Sequence, residues 1–243
     1  MALHFVVDTP LDAQPGGVVE LTGTEAHHAA AVRRVRTGEP VTVGDGRGAW
    51  LGGVVVAADP KLVRVEVVTR EDRPAPARRV ALVQALAKGD RDELAVQAST
   101  ELGVDEIVPW QAARSVSRWS GPKIERGVQR WSTIAREAGK QAHRAWLPDV
   151  SDPVTTADLV ARAARTRMLV LEPTATTRLS DLSFVEAEDI DLVVGPEGGI
   201  EPQELARLEE AGATLVRLGD TVLRTSTAGP AALAVLDVAL GRW

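Results

Sequence analysis

The hydrophobic pattern changes period once along the 243-residue chain, at Glu71-Asp72-Arg73-Pro74-Ala75-Pro76-Ala77, and nothing else in the sequence narrows the possible folds as much. Short runs of β-forming residues precede it: His4 to Val7, Val18 to Leu21, Val41 to Val43, Trp50 to Ala57 and Lys61 to Val68, punctuated by Gly and Asp. Their even spacing predicts a small β-barrel. Gly44-Asp45-Gly46-Arg47-Gly48 reads as a hairpin connection, and Thr24 as the N-cap of one helix over Glu25 to Val35 that Gly38 ends. Two prolines and little apolar content make Glu71 to Ala77 an extended, exposed linker. Beyond it come strands at Arg79 to Leu86, Glu106 to Trp110, Met168 to Leu171, Ile190 to Val194 and Thr214 to Leu218. Helices alternate with them at Asp90 to Leu102, Lys123 to Gln141, Thr155 to Ala164, Pro202 to Ala211 and Ala228 to Leu240. That alternation predicts an α/β domain around a largely parallel sheet. The expected organisation is a β unit over 1–72, a linker over 73–77 and an α/β unit over 78–243.

Composition excludes several classes. Hydrophobic residues at 44% and charged residues at 26% fit a globular chain rather than a disordered or collagen-like one. No apolar run approaches the ~20 residues of a membrane span, and Met1 to Pro10 lacks the basic start and apolar stretch of a signal peptide, so a cytoplasmic protein without a membrane partner is expected. The absence of Cys removes disulfides, zinc ribbons, iron–sulfur clusters and thiol nucleophiles. His4, His27, His28 and His143 show no metal-ligand spacing, and no metal is expected. The net charge of −6 is unevenly spread: residues 73–150 carry 13 Lys and Arg against 9 Asp and Glu, between two acidic flanks. Such a basic middle fits a local patch for an anionic polymer, with ordinary solvated charge as the alternative.

In parallel α/β sheets ligands sit beyond the carboxyl ends of the strands, so the loops that follow strands are the candidates for chemistry. Three stand out: Leu171-Glu172-Pro173, Gly195-Pro196-Glu197-Gly198-Gly199, and Leu218-Gly219-Asp220-Thr221-Val222-Leu223-Arg224-Thr225-Ser226-Thr227-Ala228. Clustered Gly lets a backbone approach a ligand closely. The spacing is neither a Rossmann fingerprint nor a P-loop, and a plain strand-to-helix turn is the alternative. Arg224 beside three hydroxyls before a helix can stabilise negative charge on a substrate, or Thr225 to Thr227 can cap that helix. Lys88, Arg91, Arg114, Arg118, Lys123, Arg126, Arg130, Arg136, Lys140 and Arg144 make up most of the basic middle, interleaved with Trp119, Trp131 and Trp146. Nucleic-acid contact is one use of such a stretch, and a core role for each Trp is the other. Arg33, Arg34 and Arg36 form a second cationic cluster, or complement the dipole at a helix end.

Taken together, several segments resemble one family. They are His27-His28 with Val32-Arg33-Arg34-Val35-Arg36-x-Gly38, Lys88-Gly89-Asp90-Arg91, Glu101-Leu102-Gly103-Val104, and Arg114-Ser115. They continue as Arg136-Glu137-Ala138-x-x-Gln141-x-x-Arg144, Gly195-Pro196-Glu197-Gly198-Gly199-x-x-x-x-Glu204 and Leu218-Gly219-x-x-Val222-Leu223-Arg224-Thr225. Their order and spacing resemble the bacterial 16S ribosomal RNA uracil-1498 N3-methyltransferases, of the SPOUT class, over nearly the whole chain. The resemblance implies an N-terminal PUA-like RNA-binding β-barrel and a C-terminal SPOUT α/β domain with a trefoil knot. It also implies a homodimer and an S-adenosylmethionine site on the knot loops. That site would use Leu171, Glu172 and Pro173, then Gly195, Pro196, Glu197, Gly198 and Gly199, then Leu218, Gly219, Val222, Leu223, Arg224, Ser226, Thr227 and Ala228. RNA contacts are implied for Arg33, Arg34, Arg36, Lys88, Arg91 and Arg114, and for Arg118, Arg136, Lys140, Gln141 and Arg144. Two positions depart from the family pattern: its Val-Leu-Arg is Val32-Arg33-Arg34, and its Thr-Glu-Thr-Ala is Thr225-Ser226-Thr227-Ala228, so no carboxylate stands at 226.

The activity so implied is methylation of uridine N3 in 16S rRNA of the small subunit, with Arg224 and Glu197 as catalytic residues. Arg224 would stabilise the uracil anion, and Glu197 or Glu172 would accept a proton or favour the sulfonium. The alternatives are an RNA-binding ribosome-maturation module without catalysis, motivated by Ser226, and a small-molecule enzyme whose basic middle is merely solvated.

Overall fold

The computed structural model describes residues 2–184 and 188–243, in two compact units. The first holds residues 1–75 together with 139–147, and the second holds 76–138 and 148–243.

In the first unit, β1 (Leu3–Val6), β2 (Val18–Thr22), β3 (Pro40–Gly44), β4 (Ala49–Asp59) and β5 (Leu62–Asp72) form one curled sheet in the order β1-β3-β4-β5-β2. Only β1 and β3 run parallel; the other pairs are antiparallel. Alternation along β5 puts Val63, Val65 and Val67 inside with Phe5, Leu21 and Leu51, while Arg64 and Glu66 face solvent. β4 and β5 run further than their apolar residues predict, so the strand ends only at Asp72. The Gly44–Gly48 connection is closed by Asp45 Oδ1, which accepts the backbone N–H of Arg47 at 2.7 Å and of Ala49 at 3.2 Å. The expected helix is shorter and differently built. It is α1 (Gly23–His27), with Thr22 rather than Thr24 at the N-cap, and passes into a π-helical turn over His28–Val32. Arg33 N–H bonds His28 O, five residues back, and Arg34 takes φ 55°, which ends the segment before Val35. The wide turn buries Ala26 and Ala29 and leaves Arg33, Arg34 and Arg36 exposed.

Residues 139–147, expected with the second domain, pack in the first unit. Lys140 is only 7% exposed and its Nζ lies 2.9 Å from Glu25 Oε2, while Glu25 Oε1 accepts the Val6 N–H. Trp146 Nε1 donates to Arg73 O at 3.0 Å, and Leu147 N–H to Gly46 O. Periodicity could not show this, because a buried ion pair places a charged residue where a hydrophobic one is expected.

His4 stacks on Trp50 with 4.2 Å between ring centroids and is hydrogen-bonded to Thr42. Burial, then the charges of His143, Lys140 and Arg73, push its pKa down to about 3. The unfolded chain takes up a proton near pH 6.5 that the folded chain refuses, so stability falls as pH drops below 6.5, by about 1.4 kcal/mol per pH unit. Urea unfolding at pH 7.5 and pH 5 is expected to show this acid loss in the parent, and His4→Gln to remove about 2 kcal/mol of it. Equal acid losses in both proteins would refute it.

In the second unit β6 (Val80–Ala85), β7 (Glu106–Trp110), β8 (Asp149–Val150), β9 (Arg167–Leu171), β10 (Ile190–Val194) and β11 (Thr214–Val216) form an all-parallel sheet in the order β11-β9-β10-β6-β7-β8. Both faces are covered, so the central strands β6 and β10 are buried at every residue. On one face Leu82, Ile107 and Leu192 pack with residues of α2 (Arg91–Glu101), α3 (Pro122–Gln141) and α6 (Thr225–Ala239), among them Val96, Trp131 and Leu236. On the other, Val83, Trp110 and Val193 pack with Leu159 of α4 (Thr156–Ala163) and Leu208 of α5 (Pro202–Glu210). Trp110 and Trp131 are therefore core residues, and no helix among the described residues is long and apolar enough to cross a membrane. Thr155 and Asp158 form a capping box on α4, as the Thr155 start predicts. α6 begins three residues earlier than expected, at Thr225.

Candidate functional site

The carboxyl ends of β9, β10 and β11 open into one cavity of about 360 Å³, within the size range of a small-ligand site. Strand order explains its position. β10 lies between β6 and β9, and β11 flanks β9, so the loops after three neighbouring strands converge. β9 supplies Leu171, Glu172 and Pro173, β10 supplies Gly195, Pro196, Glu197 and Gly199, and β11 leads into Leu218, Gly219, Val222, Leu223 and Arg224. Ala228 closes the wall from α6.

Close backbone approaches shape this pocket. A Cβ on Gly195 would sit 2.6 Å from Ile200 Cγ1, so only Gly lets the chain turn there. Gly229 lets α6 approach the sheet, since its Cβ would lie 2.8 Å from Leu82 Cδ1. That contact brings Thr225 onto the β10 loop: Thr225 Oγ1 donates to Gly195 O at 2.9 Å and accepts from Gln84 Nε2 at 2.9 Å. Arg224 occupies the N-cap of α6 and its carbonyl accepts the N–H of Thr227 and Ala228, so Thr225 to Thr227 lie inside the first turn and no side chain caps it.

Three expected cofactor residues stand outside the cavity wall: Gly198, Ser226 and Thr227. Gly198 O instead accepts from Arg114 at 3.2 Å, and Ser226 and Thr227 lie in the first turn of α6. Glu197 is held by the loop after β6. Its Oε1 accepts both the Lys88 N–H and Arg91 Nη1 at 3.0 Å. Burial works against its charge, but those bonds and its own amide outweigh it and hold the carboxyl below the usual range. It is thus an anchor for the Lys88 loop and a poor proton acceptor. Glu172 Oε1 is likewise engaged, by the N–H and hydroxyl of Thr174. The Arg224 side chain is exposed and has no ion-pair partner among the described residues.

The expected RNA contacts divide. Arg33, Arg34, Arg36, Lys88, Arg114, Arg118 and Gln141 are exposed, and Arg136 and Arg144 are half-buried. Arg91 lines the cavity, and Lys140 is withdrawn from any surface role by its burial against Glu25. The residues that sequence reasoning missed are Val194, Ile200, Val216 and Arg217 on the wall, and Gln84 behind it, while Thr221 and Thr225 of the third candidate loop also line the wall. Gln84 had a signal, as the one polar residue in Val-Ala-Leu-Val-Gln-Ala.

Comparison with known proteins agrees with this architecture. Residues 73–237 match the family model of the RNA methyltransferase domain, and 21–68 match that of the RNA methyltransferase PUA domain. The chain is 44% identical over its full length, and over 94% of the relative, to the Mycobacterium bovis protein named ribosomal RNA small subunit methyltransferase E. It is 30% identical to the Bacillus subtilis protein of the same name, with 98% of this chain and 96% of the relative covered. Among solved structures, a Legionella pneumophila methyltransferase in complex with its cofactor SAM superposes with a TM-score of 0.88 at 29% identity, covering 98% of both chains. The Neisseria gonorrhoeae ribosomal RNA small subunit methyltransferase E bound to S-adenosyl methionine gives 0.87 at 27% identity, again over 98% of both. Matched over its full length by relatives of that name and by the two family models, the chain belongs to the ribosomal RNA small subunit methyltransferase E family.

Proposed function

We propose that the protein transfers a methyl group from S-adenosylmethionine to N3 of a uridine in 16S rRNA, the position numbered 1498 in the family. The observation that carries this is the cavity at the ends of β9 to β11, which combines apolar walls with an unpaired guanidinium. Its size and chemistry fit the cofactor: Leu171, Val194, Val216 and Leu218 offer apolar surface to a purine, and Glu172 and Glu197 supply negative charge for a sulfonium. Bound there, S-adenosylmethionine supplies an electrophilic methyl, so the chain contributes orientation and electrostatics.

Uracil N3 carries a proton at neutral pH. Arg224 stabilises the anion left as that proton departs to water; with the cofactor bound, the N3 lone pair would take the methyl in line as the methyl–sulfur bond breaks and the neutral thioether leaves. Glu197 keeps Arg91 and the Lys88 loop in place during the reaction. Ser226 is not part of the cavity wall, although its neighbour Thr225 is. A trefoil knot through the β9 to β11 loops agrees with the insertion of β10 between β9 and β6. A homodimer is supported by exposed Leu94 and Val238 on the packed helices α2 and α6. Such an enzyme works where ribosomes are built, in the cytoplasm.

The test is transfer of labelled methyl to small subunits from cells lacking the gene, followed by nucleoside analysis. 3-Methyluridine is expected. Transfer to a ribose hydroxyl or another base would overturn the N3 assignment, and no transfer to subunits that the protein binds would favour the non-catalytic module.

A further inference from the structure

A second cleft of about 360 Å³ lies beside α3, walled by Trp119, Lys123 and Arg126 and by Ala87 and Gly89. We propose that it holds phosphates of the RNA strand that carries the target base, a proposal that rests on RNA being the substrate.

Its charge is the first support. Two carboxylates enter the wall, and both are engaged inside the protein. Asp92 accepts the N–H of Ala87 at 3.0 Å and of Glu93 at 2.9 Å, and Glu93 is held by Arg130 Nη2 at 2.7 Å. Lys123 and Arg126 are exposed and have no ion-pair partner among the described residues. They stand three apart on α3, where like charges repel, and a bound anion relieves that repulsion. Arg118, which donates to Ala113 O at 3.0 Å, adds a third cation to the wall.

Rigidity is the second support. A Cβ on Gly127 would lie 2.6 Å from three atoms of the Trp119 ring, so that ring rests directly on the helix backbone. Its edge-to-face contact with Trp131, 5.2 Å between centroids, fixes the other side. The cleft therefore keeps its shape without a ligand.

Position is the third. Ala87 and Gly89 face this cleft, and Arg91, a few residues on, faces the cavity described above. Glu197 clamps the loop between them through Lys88 N–H and Arg91. The target base that Arg224 would meet and a phosphate in the cleft are thus separated by one loop, which suits neighbouring nucleotides of a single strand. Phosphate contacts of this kind set register and leave base identity to the cavity.

The experiment compares the parent, Lys123→Ala/Arg126→Ala and a control, Arg165→Ala/Arg207→Ala, which removes two exposed cations on the α4–α5 side. Binding to unmethylated small subunits is measured between about 50 and 200 mM KCl at fixed Mg²⁺, alongside S-adenosylmethionine affinity. The cleft variant is expected to bind about tenfold more weakly, with a log–log salt slope shallower by about 1.4, the share of two single-strand phosphate contacts. Cofactor affinity stays at the parent value, and the control keeps the parent's affinity and slope. If the parent binds and methylates subunits while the cleft variant matches the control, the cleft proposal alone fails. If the parent binds no subunits, the RNA assignment fails and this proposal with it.

Discussion

Alanine at position 224 is expected to lower kcat for methyl transfer by about 10²- to 10³-fold while leaving the S-adenosylmethionine Kd nearly unchanged. The substitution removes an exposed guanidinium that has no carboxylate partner among the described residues and lies on the cavity wall. The fold survives, because Arg224 serves the α6 N-terminus through its backbone carbonyl, which alanine keeps. Without the cation the uracil anion is less stable. The rate of the variant then goes on rising to higher pH than that of the parent, and Arg224→Lys, which keeps a charge, recovers part of the activity. The opposite pattern, an unchanged kcat with a much weaker cofactor Kd, would assign Arg224 to cofactor binding and remove it from the chemistry.

Arg162→Ala is expected to destabilise the second unit strongly. Arg162 on α4 reaches Asp191 on β10 through Nε at 2.7 Å and Glu106 on β7 through Nη2 at 2.7 Å, and Thr166 also bonds Asp191 at 2.6 Å. Burial disfavours the guanidinium's charge, yet the hydrogen bonds and charges of Glu106 and Asp191 outweigh it and push its pKa above the ordinary value. Asp191 is 1% exposed, so removing the arginine strands a buried carboxylate. Breaking such a pair costs about 3 kcal/mol, which lowers Tm by roughly 6–12 °C for a unit of this size. Thermal unfolding measures it, and Arg162→Lys, which cannot span both carboxylates, is expected to recover less than half. A Tm within about 2 °C of the parent for the alanine variant would show that solvent fills in for the arginine.

Where the sequence was legible, one backbone period ruled locally. β7 and β10 run from Glu106 to Trp110 and from Ile190 to Val194 as the apolar runs predict, and α3 is one residue longer than expected. The helix in the β unit was misjudged because Ala-rich sequence suits several helical turns equally. Burial of Ala26 and Ala29 against the sheet selected the π-helical one. Most of the candidate site was also visible, since the rule that ligands sit beyond strand ends points to Leu171, Gly195 and Leu218 from the sequence alone.

By itself, then, the sequence determined which segments become strands and helices, where the period changes, and which loops carry the unusual residues. Those are consequences of side-chain spacing along one chain. Only the tertiary structure decided that Lys140 is sealed against Glu25, and that Glu197 is tied to Arg91 while Arg224 has no such partner among the described residues. It alone brought Gln84 and Thr225 together from 141 residues apart. The availability of a charge depends on what lies within a few ångströms of it, and strand order and helix packing set that distance, which spacing along the chain does not encode.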